Sequence, residues 1–313
     1  MKTAFLFPGQ GAQVVGMGAD LTQASPAAAD MYARANDIVG FDLARVCFEG
    51  PPEKLNTTTI SQPAIFVTSA ALLAAMRSSP ATENLAADVT AGLSMGEYTA
   101  LYAAGVVSFE DGLRLVKKRG EAMQAAADAT EGTMVSIIGL DAEKVRQLCD
   151  EAAQDELLEP VNFNCPGQIV VSGTVAACDR AEAMAERYGA IKSVRLDVAG
   201  AFHTELMSSA ADALRQALSE CEITHLSTVK TVANIRADYY QSPGDIVDGL
   251  ARQLTNAILW QGCMERLIAD GVDRFYEIGP GRVLTGLMKR INRKLKVINI
   301  SSLDAVNAMA ATV

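Results

Sequence analysis

What this sequence lacks narrows its function first. Only two histidines, His203 and His225, occur in 313 residues, and 27 lysines and arginines stand against 37 acidic residues, a formal charge of −10. That balance argues against nucleic acid, whose binding rests on neutralising phosphates with Lys and Arg. Six cysteines (Cys47, Cys149, Cys165, Cys178, Cys221, Cys263) lie far apart with no CxxC pair. Neither a disulfide framework nor a zinc site is expected, and a reducing compartment fits. The N-terminus "MKTAFLFPGQGAQ" has only four consecutive apolar residues, Ala4 to Phe7, before Pro8. That is too few for a signal peptide or a membrane span, so a cytoplasmic protein without a membrane partner is expected. There is no GK[ST], and Val14 stands where a GxGxxG beginning at Gly9 requires glycine. The turn "PGQGAQ" is therefore not read as a phosphate cradle. No internal repeat and no long low-complexity linker interrupt the chain.

What is present points to an α/β protein with room for about two domains. "TAFLF" reads as a buried strand, followed by the Gly-rich turn and then by helical patterns. Among these, "SQPAIFVTSAALLAAM" is apolar nearly all round, as a buried helix would be. "DVTAGL" reads as a second strand. From "EGTMVSIIGL" the rhythm changes to βαββαβ over residues 132 to 198, the order of a ferredoxin-like unit. "TVKTVANI" and "DRFYEIG" then read as further strands. The expected architecture is a parallel-sheet α/β domain, residues 1–130 and 199–313, interrupted by a ferredoxin-like α+β insert at 131–198.

Gly92-Leu93-Ser94-Met95-Gly96 fits GxSxG, a serine lifted from the sheet on a tight strand-to-helix turn. The pattern is weak alone, and a glycine-lined turn without chemistry explains it equally well. Its placement between a strand and a helix adds weight. A serine hydroxyl needs a base. His203 sits in "VAGAFHTELM", a small-residue loop before a helix, and is the candidate. His225, in "EITHLSTV", is expected at the surface or a strand end. Met95, after the serine, and Gln10, between Gly9 and Gly11, are candidates for backbone oxyanion donors.

One charge falls on an apolar stripe. In "FEDGLRLVKKRGEAMQ", Phe109, Leu113, Leu115, Val116 and Met123 define the inner face, and Arg119 lies four residues from both Leu115 and Met123. A buried guanidinium is costly unless it meets an anion, either a protein carboxylate or the carboxylate of a substrate. Gln253 in "LARQLTNA" is likewise flanked by Leu250, Leu254 and Ala257.

In order along essentially the whole chain, "LFPGQGAQ", "SQPAIFVTSAA", "GLSMGEYTAL", "KKRGEAMQ", "NFNCPGQIVVSG", "AGAFHTELM", "ARQLTNAILW" and "YEIGPGRVLTGL" resemble the malonyl-CoA:acyl-carrier-protein transacylase family. The resemblance implies an α/β-hydrolase-like domain with a ferredoxin-like insert. It implies Ser94 as nucleophile, His203 as base, and Gln10 and Met95 N–H groups as oxyanion hole. Arg119 would hold the malonyl carboxylate, Gln253 would orient His203 through its backbone carbonyl, and Gln62 would line the cleft. Phe202 resembles the malonyl-selective pattern, in which a ring excludes a 2-methyl branch. The chain departs from many members at Leu93, where they carry histidine. Plastid-type members and free-standing polyketide acyltransferases share the leucine, which bears on pathway and not on the nucleophile.

The implied reaction is ping-pong transfer from malonyl-CoA to the phosphopantetheine thiol of acyl carrier protein, with no metal and no bound cofactor. Carrier proteins of this kind are acidic, and "LMKRINRKLKV" sets Lys289, Arg290, Arg293, Lys294 and Lys296 within eight residues. That patch, or Lys117 and Lys118, is the expected docking surface. A monomer is expected. The rival readings are a serine hydrolase or thioesterase, with water as acceptor, and a non-catalytic docking protein.

Overall fold

The computed structural model describes residues 1–223 and 227–309; His225 lies outside them. Among the described residues ten strands form two sheets. β1 (Lys2–Phe7), β2 (Val89–Gly92), β7 (Lys230–Ala233), β8 (Asp238–Tyr239), β9 (Val272–Ile278) and β10 (Val297–Ile300) make the first. Its order is β10-β9-β1-β2-β7-β8. Every pairing is parallel except that of the short edge strand β8 with β7.

β1 explains why this sheet is the centre of the molecule. Its residues beyond Lys2 are all buried. Phe5 and Phe7 point into the larger core with the helix Thr58–Ser78, while Ala4 and Leu6 point into a second core around Trp260, Met264 and Phe275. The two-residue period of a strand thus feeds two cores, one on each face, as in a sheet covered by helices on both sides. The helix Thr58–Ser78 is long and apolar enough to cross a membrane, yet 89% of its apolar window is buried inside the protein.

β3 (Gly132–Ile138), β4 (Leu158–Cys165), β5 (Gln168–Thr174) and β6 (Lys192–Arg195) make the second sheet, antiparallel throughout, in the order β4-β5-β3-β6. Val135 and Ile137 face the helices Ala142–Ala153 and Val175–Met184, whereas Met134 on the alternate face joins the larger core. β4 is stitched to the first unit by Phe163 N–H to Ile258 carbonyl at 2.9 Å and Ile258 N–H to Val161 carbonyl at 2.7 Å.

Two strands, β8 and β10, were not foreseen. β10 follows the basic run and is only "VINI", too short for a period to declare itself. β6 stops at Arg195, short of the expected end: the Leu196 N–H still donates to the Met134 carbonyl at 3.0 Å, but the Val198 N–H turns back to the Leu196 carbonyl at 3.1 Å, and Leu196, Asp197 and Val198 line a cavity. The carboxyl ends of β1 and β2 lie side by side, with Phe7 paired to Gly92. Open parallel sheets bind ligands at that edge.

Candidate active site

The turn after β2 is dictated by sterics. A Cβ on Gly92 would fall 1.9 Å from the carbonyl carbon of Gly96, and one on Gly96 would fall 2.2 Å from the carbonyl oxygen of Phe7. Neither position tolerates a side chain, so the helix Gly96–Ala103 can begin directly above the strand. Between them Ser94 has φ of 51°, a left-handed conformation that a non-glycine residue adopts at some cost. Both of its peptide groups are clamped. The Ser94 N–H donates to Asn234 Oδ1 at 2.7 Å, and its carbonyl accepts from Gln253 Nε2 at 3.0 Å. Asn234 in turn donates to the Gly92 carbonyl at 2.8 Å.

Ser94, His203, Arg119 and Gln253, more than a hundred residues apart at the extremes, meet here. Ser94 Oγ lies 3.0 Å from His203 Nε2 and 3.0 Å from Arg119 Nη2. His203 Nδ1 lies 2.7 Å from the Gln253 carbonyl. A carbonyl can only accept, so Nδ1 carries the hydrogen and Nε2 presents its lone pair to the serine hydroxyl. Burial, reinforced by the Arg119 charge and opposed by the Gln253 carbonyl, pushes the His203 pKa down to about 3. The imidazole is therefore neutral and free to take a proton. His203 also has a left-handed φ, 65°.

Arg119 is 1% exposed. Ser108 caps its helix, Phe109–Asp128, and the apolar stripe turns the guanidinium inward as the spacing predicts. Nη1 donates to Gln62 Oε1 at 2.8 Å and Nη2 to Gln253 Oε1 at 2.9 Å. Among the described residues no carboxylate lies within ion-pairing distance of it. Of the two partners left open by the sequence, a protein carboxylate is thus not the one in contact. The cation is held directly by neutral amide oxygens and a hydroxyl, with the centre of the Tyr98 ring 5.7 Å away, so no anion touches it.

A cavity of about 450 Å³ opens in front of Ser94. Gln10, Leu93, Arg119, Phe202 and His203 line it from the first unit, and Met134, Asn162, Leu196 and Val198 from the second. Three expected site residues stand behind the wall. Gln62, expected to line the cleft, is fully buried and buttresses Arg119, with its own Nε2 3.4 Å from Met123 Sδ. Gln253 and Met95 are also fully buried. No acceptor among the described residues is bonded to the N–H of Gln10 or of Met95.

Three residues of the site escaped sequence reasoning: Glu97, Asn234 and Tyr240. Glu97 is 1% exposed, and burial raises its pKa to about 7 against the pull of its donors. Tyr240 Oη and Gln253 Nε2 donate to its two oxygens, the latter at 2.6 Å. The signal existed, since an acid inside the apolar "GEYTALYA" is as anomalous as Arg119 on its stripe. Asn234 and Tyr240 carried no comparable mark.

The basic run does not form one helix face. Lys289 and Arg290 end the helix Val283–Ile291, whereas Arg293, Lys294 and Lys296 belong to the turn before β10. Arg290 is spent on the β4–β5 hairpin, donating at 3.1 Å to Gln168 Oε1 and to the Pro166 and Gly167 carbonyls. Lys117 donates to the Val39 carbonyl at 3.1 Å, and Lys118 is exposed.

Comparison with known proteins gives the class first: residues 4–309 match the acyl transferase domain family. The malonyl CoA-acyl carrier protein transacylase of Bacillus subtilis is 42% identical over 312 residues, covering 99% of this chain and 97% of that protein. The same enzyme of Escherichia coli K12 is 41% identical over 308 residues, covering 98% and 97%. Among solved structures, the transacylase of Coxiella burnetii superposes with a TM-score of 0.95 at 32% identity, over 99% of this chain and 97% of that one. A malonyl-transacylase solved in complex with its type II polyketide acyl-carrier protein superposes with a TM-score of 0.93 at 39% identity, over 100% of both chains. The chain belongs to the malonyl CoA-acyl carrier protein transacylase family.

Proposed function

We propose that this enzyme carries malonyl groups from malonyl-CoA to the phosphopantetheine thiol of an acyl carrier protein, through an ester on Ser94, supplying extender units for fatty acid synthesis. The observation that carries this reading is the shared contact at Ser94 Oγ, 3.0 Å from an imidazole lone pair and 3.0 Å from a buried guanidinium. The first is what a nucleophile needs, and the second is what a carboxylated acyl group needs.

The malonyl carboxylate takes the guanidinium over from the hydroxyl, which then has only His203 as partner. Nε2 removes the hydroxyl proton as Oγ bonds to the thioester carbon, and we assign the Gln10 and Met95 N–H groups, which bond no acceptor among the described residues, to the carbonyl oxygen as it gathers negative charge. Collapse breaks the C–S bond, and the imidazolium returns its proton to the departing coenzyme A thiolate. The carrier thiol then repeats the sequence on the ester, giving its proton to His203, and the imidazolium returns one to Ser94 Oγ. Ser94, His203 and the two thiols account for every proton, so the chemistry asks for no metal or bound cofactor. Phe202, on the cavity wall, limits branching next to the carbonyl.

Intact mass after mixing with malonyl-CoA, followed by peptide mapping, tests this directly. A malonyl adduct on Ser94, long-lived without carrier and discharged by it, is expected. Rapid turnover to malonate without carrier indicates a hydrolase, and unchanged transfer by Ser94→Ala excludes the mechanism. We place the enzyme in the cytoplasm as a monomer, a setting consistent with six free cysteines. For carrier docking, Lys289, Arg293, Lys294 and Lys296 remain exposed. Reversing Lys294 and Lys296 to Glu is expected to raise KM for carrier and leave KM for malonyl-CoA unchanged; equal effects on both remove this surface.

A further inference from the structure

We propose that Glu97 is a positioning residue, which fixes the orientation of the Gln253 amide and through it the guanidinium that recognises the acyl carboxylate. The inference rests on the reading of Arg119 given above and adds the group that holds it.

The geometry is a guanidinium and a buried carboxyl group bridged by an amide. Arg119 Nη2 donates to Gln253 Oε1 at 2.9 Å, and Gln253 Nε2 donates to Glu97 Oε2 at 2.6 Å. The amide therefore turns its oxygen to the cation and its nitrogen to the carboxyl oxygen. The reverse orientation sets NH₂ against a guanidinium and oxygen against a carboxylate, with all four groups buried. An amide can adopt either orientation by a half-turn of its last torsion, and only its partners decide between them. Glu97 makes that choice from the far side together with the Ser94 carbonyl, and holds the nitrogen by the shorter contact, 2.6 Å against 3.0 Å.

The same carboxylate reaches the serine turn by a second arm. The Asn234 backbone N–H lies 3.4 Å from both Glu97 oxygens, and Asn234 Oδ1 accepts from the Ser94 N–H. Gln253 Nε2 holds the Ser94 carbonyl. Both clamps on the left-handed serine thus touch one buried acid, and Tyr240 donates to that acid from behind.

Acceptor capacity at the Glu97 position is what the amide needs. Glu97→Gln keeps one oxygen toward Gln253, while its own NH₂ can turn to the Tyr240 oxygen, which accepts as readily as it donates. Glu97→Asp withdraws the carboxylate by one methylene, and Glu97→Leu removes it. The experiment compares rates of acyl loading from malonyl-CoA and acetyl-CoA by intact mass in the whole enzyme, with thermal melts of each variant. Acetyl lacks the acid, so the malonyl-to-acetyl ratio isolates the guanidinium. The ratio is expected to fall about tenfold in Glu97→Asp and Glu97→Leu, the scale of one lost hydrogen bond to a charged group. It is expected to stay within about threefold of wild type in Glu97→Gln.

A merely structural role slows both acyl groups together and leaves the ratio unmoved, and that result overturns the proposal. So does an unchanged ratio in Glu97→Asp if Glu97→Leu fails to fold. Arg119→Ala separates the two levels. If it abolishes the preference while Glu97→Asp does not, the role of Glu97 alone is wrong. If Arg119→Ala leaves the preference intact, the reading of Arg119 falls and this inference with it.

Discussion

Acidification is the perturbation that interrogates the buried histidine. His203 is expected to titrate at its ordinary 6.5 in the unfolded chain but at about 3 in the native site. A depressed native pKa means that the unfolded state binds the proton first as pH falls. The stabilisation from keeping His203 neutral is therefore complete above pH 6.5 and is lost progressively toward pH 3. At about 1.36 kcal/mol for each pH unit spent between those values, the loss between pH 7 and pH 4 is about 3 kcal/mol. His203→Asn cannot titrate, so the difference in unfolding free energy between wild type and this variant isolates the effect from the other acids. Urea melts at pH 7, 5 and 4 should show wild type losing about 3 kcal/mol relative to the variant. A difference that stays constant across that range means that the native imidazole protonates normally, and it refutes both the burial and the guanidinium's influence. Function follows the same titration: acylation by malonyl-CoA should show no acid limb near the ordinary histidine value.

Arg119→Met is expected to lower kcat/KM for malonyl-CoA by at least a hundredfold, since two charge-assisted hydrogen bonds contribute about 3 kcal/mol or more. It should also raise the His203 pKa, read by NMR titration, because a like charge is removed. Asn234→Ala takes away the acceptor for the Ser94 N–H and the donor to Gly92, and is expected to cost about 2 kcal/mol or more in urea melts and to slow Ser94 acylation. Glu97 works with the opposite sign to His203. Its native pKa of about 7 exceeds the ordinary 4.5, so its contribution is fully present below 4.5 and lost as pH rises through 7. Glu97→Gln should accordingly gain on wild type by up to about 3 kcal/mol between pH 5 and pH 8 in the same melts.

The parts of this site that the sequence displayed were those that break a local pattern. Ser94 stood out because two glycines flank it on a strand-to-helix turn, and Arg119 because a cation interrupts an apolar stripe. His203 emerged by scarcity, one of only two histidines. The βαββαβ rhythm showed through because its periods are regular, and it appears as the order β4-β5-β3-β6. What stayed hidden depends on tertiary approach. Asn234 follows the short strand β7, and nothing local says that its amide crosses to the turn after β2. Gln62 was placed on the cavity wall by family resemblance, yet it lies one layer deeper, because the helix carrying Arg119 packs directly against its own. The basic run looked continuous in sequence because charge has no period there, and β10 is too short to announce the break.

The histidine's support is a peptide carbonyl, where many serine enzymes place an acid. A dipole orients the ring without adding a net negative charge to the chamber. A carboxylate in that place would have repelled the acidic tail of the incoming thioester and would also have neutralised the guanidinium meant to greet it. On the roles proposed above, an uncharged group steers the base and sets no carboxylate directly against Arg119, so selection for an acidic acyl chain and activation of the serine need not compete.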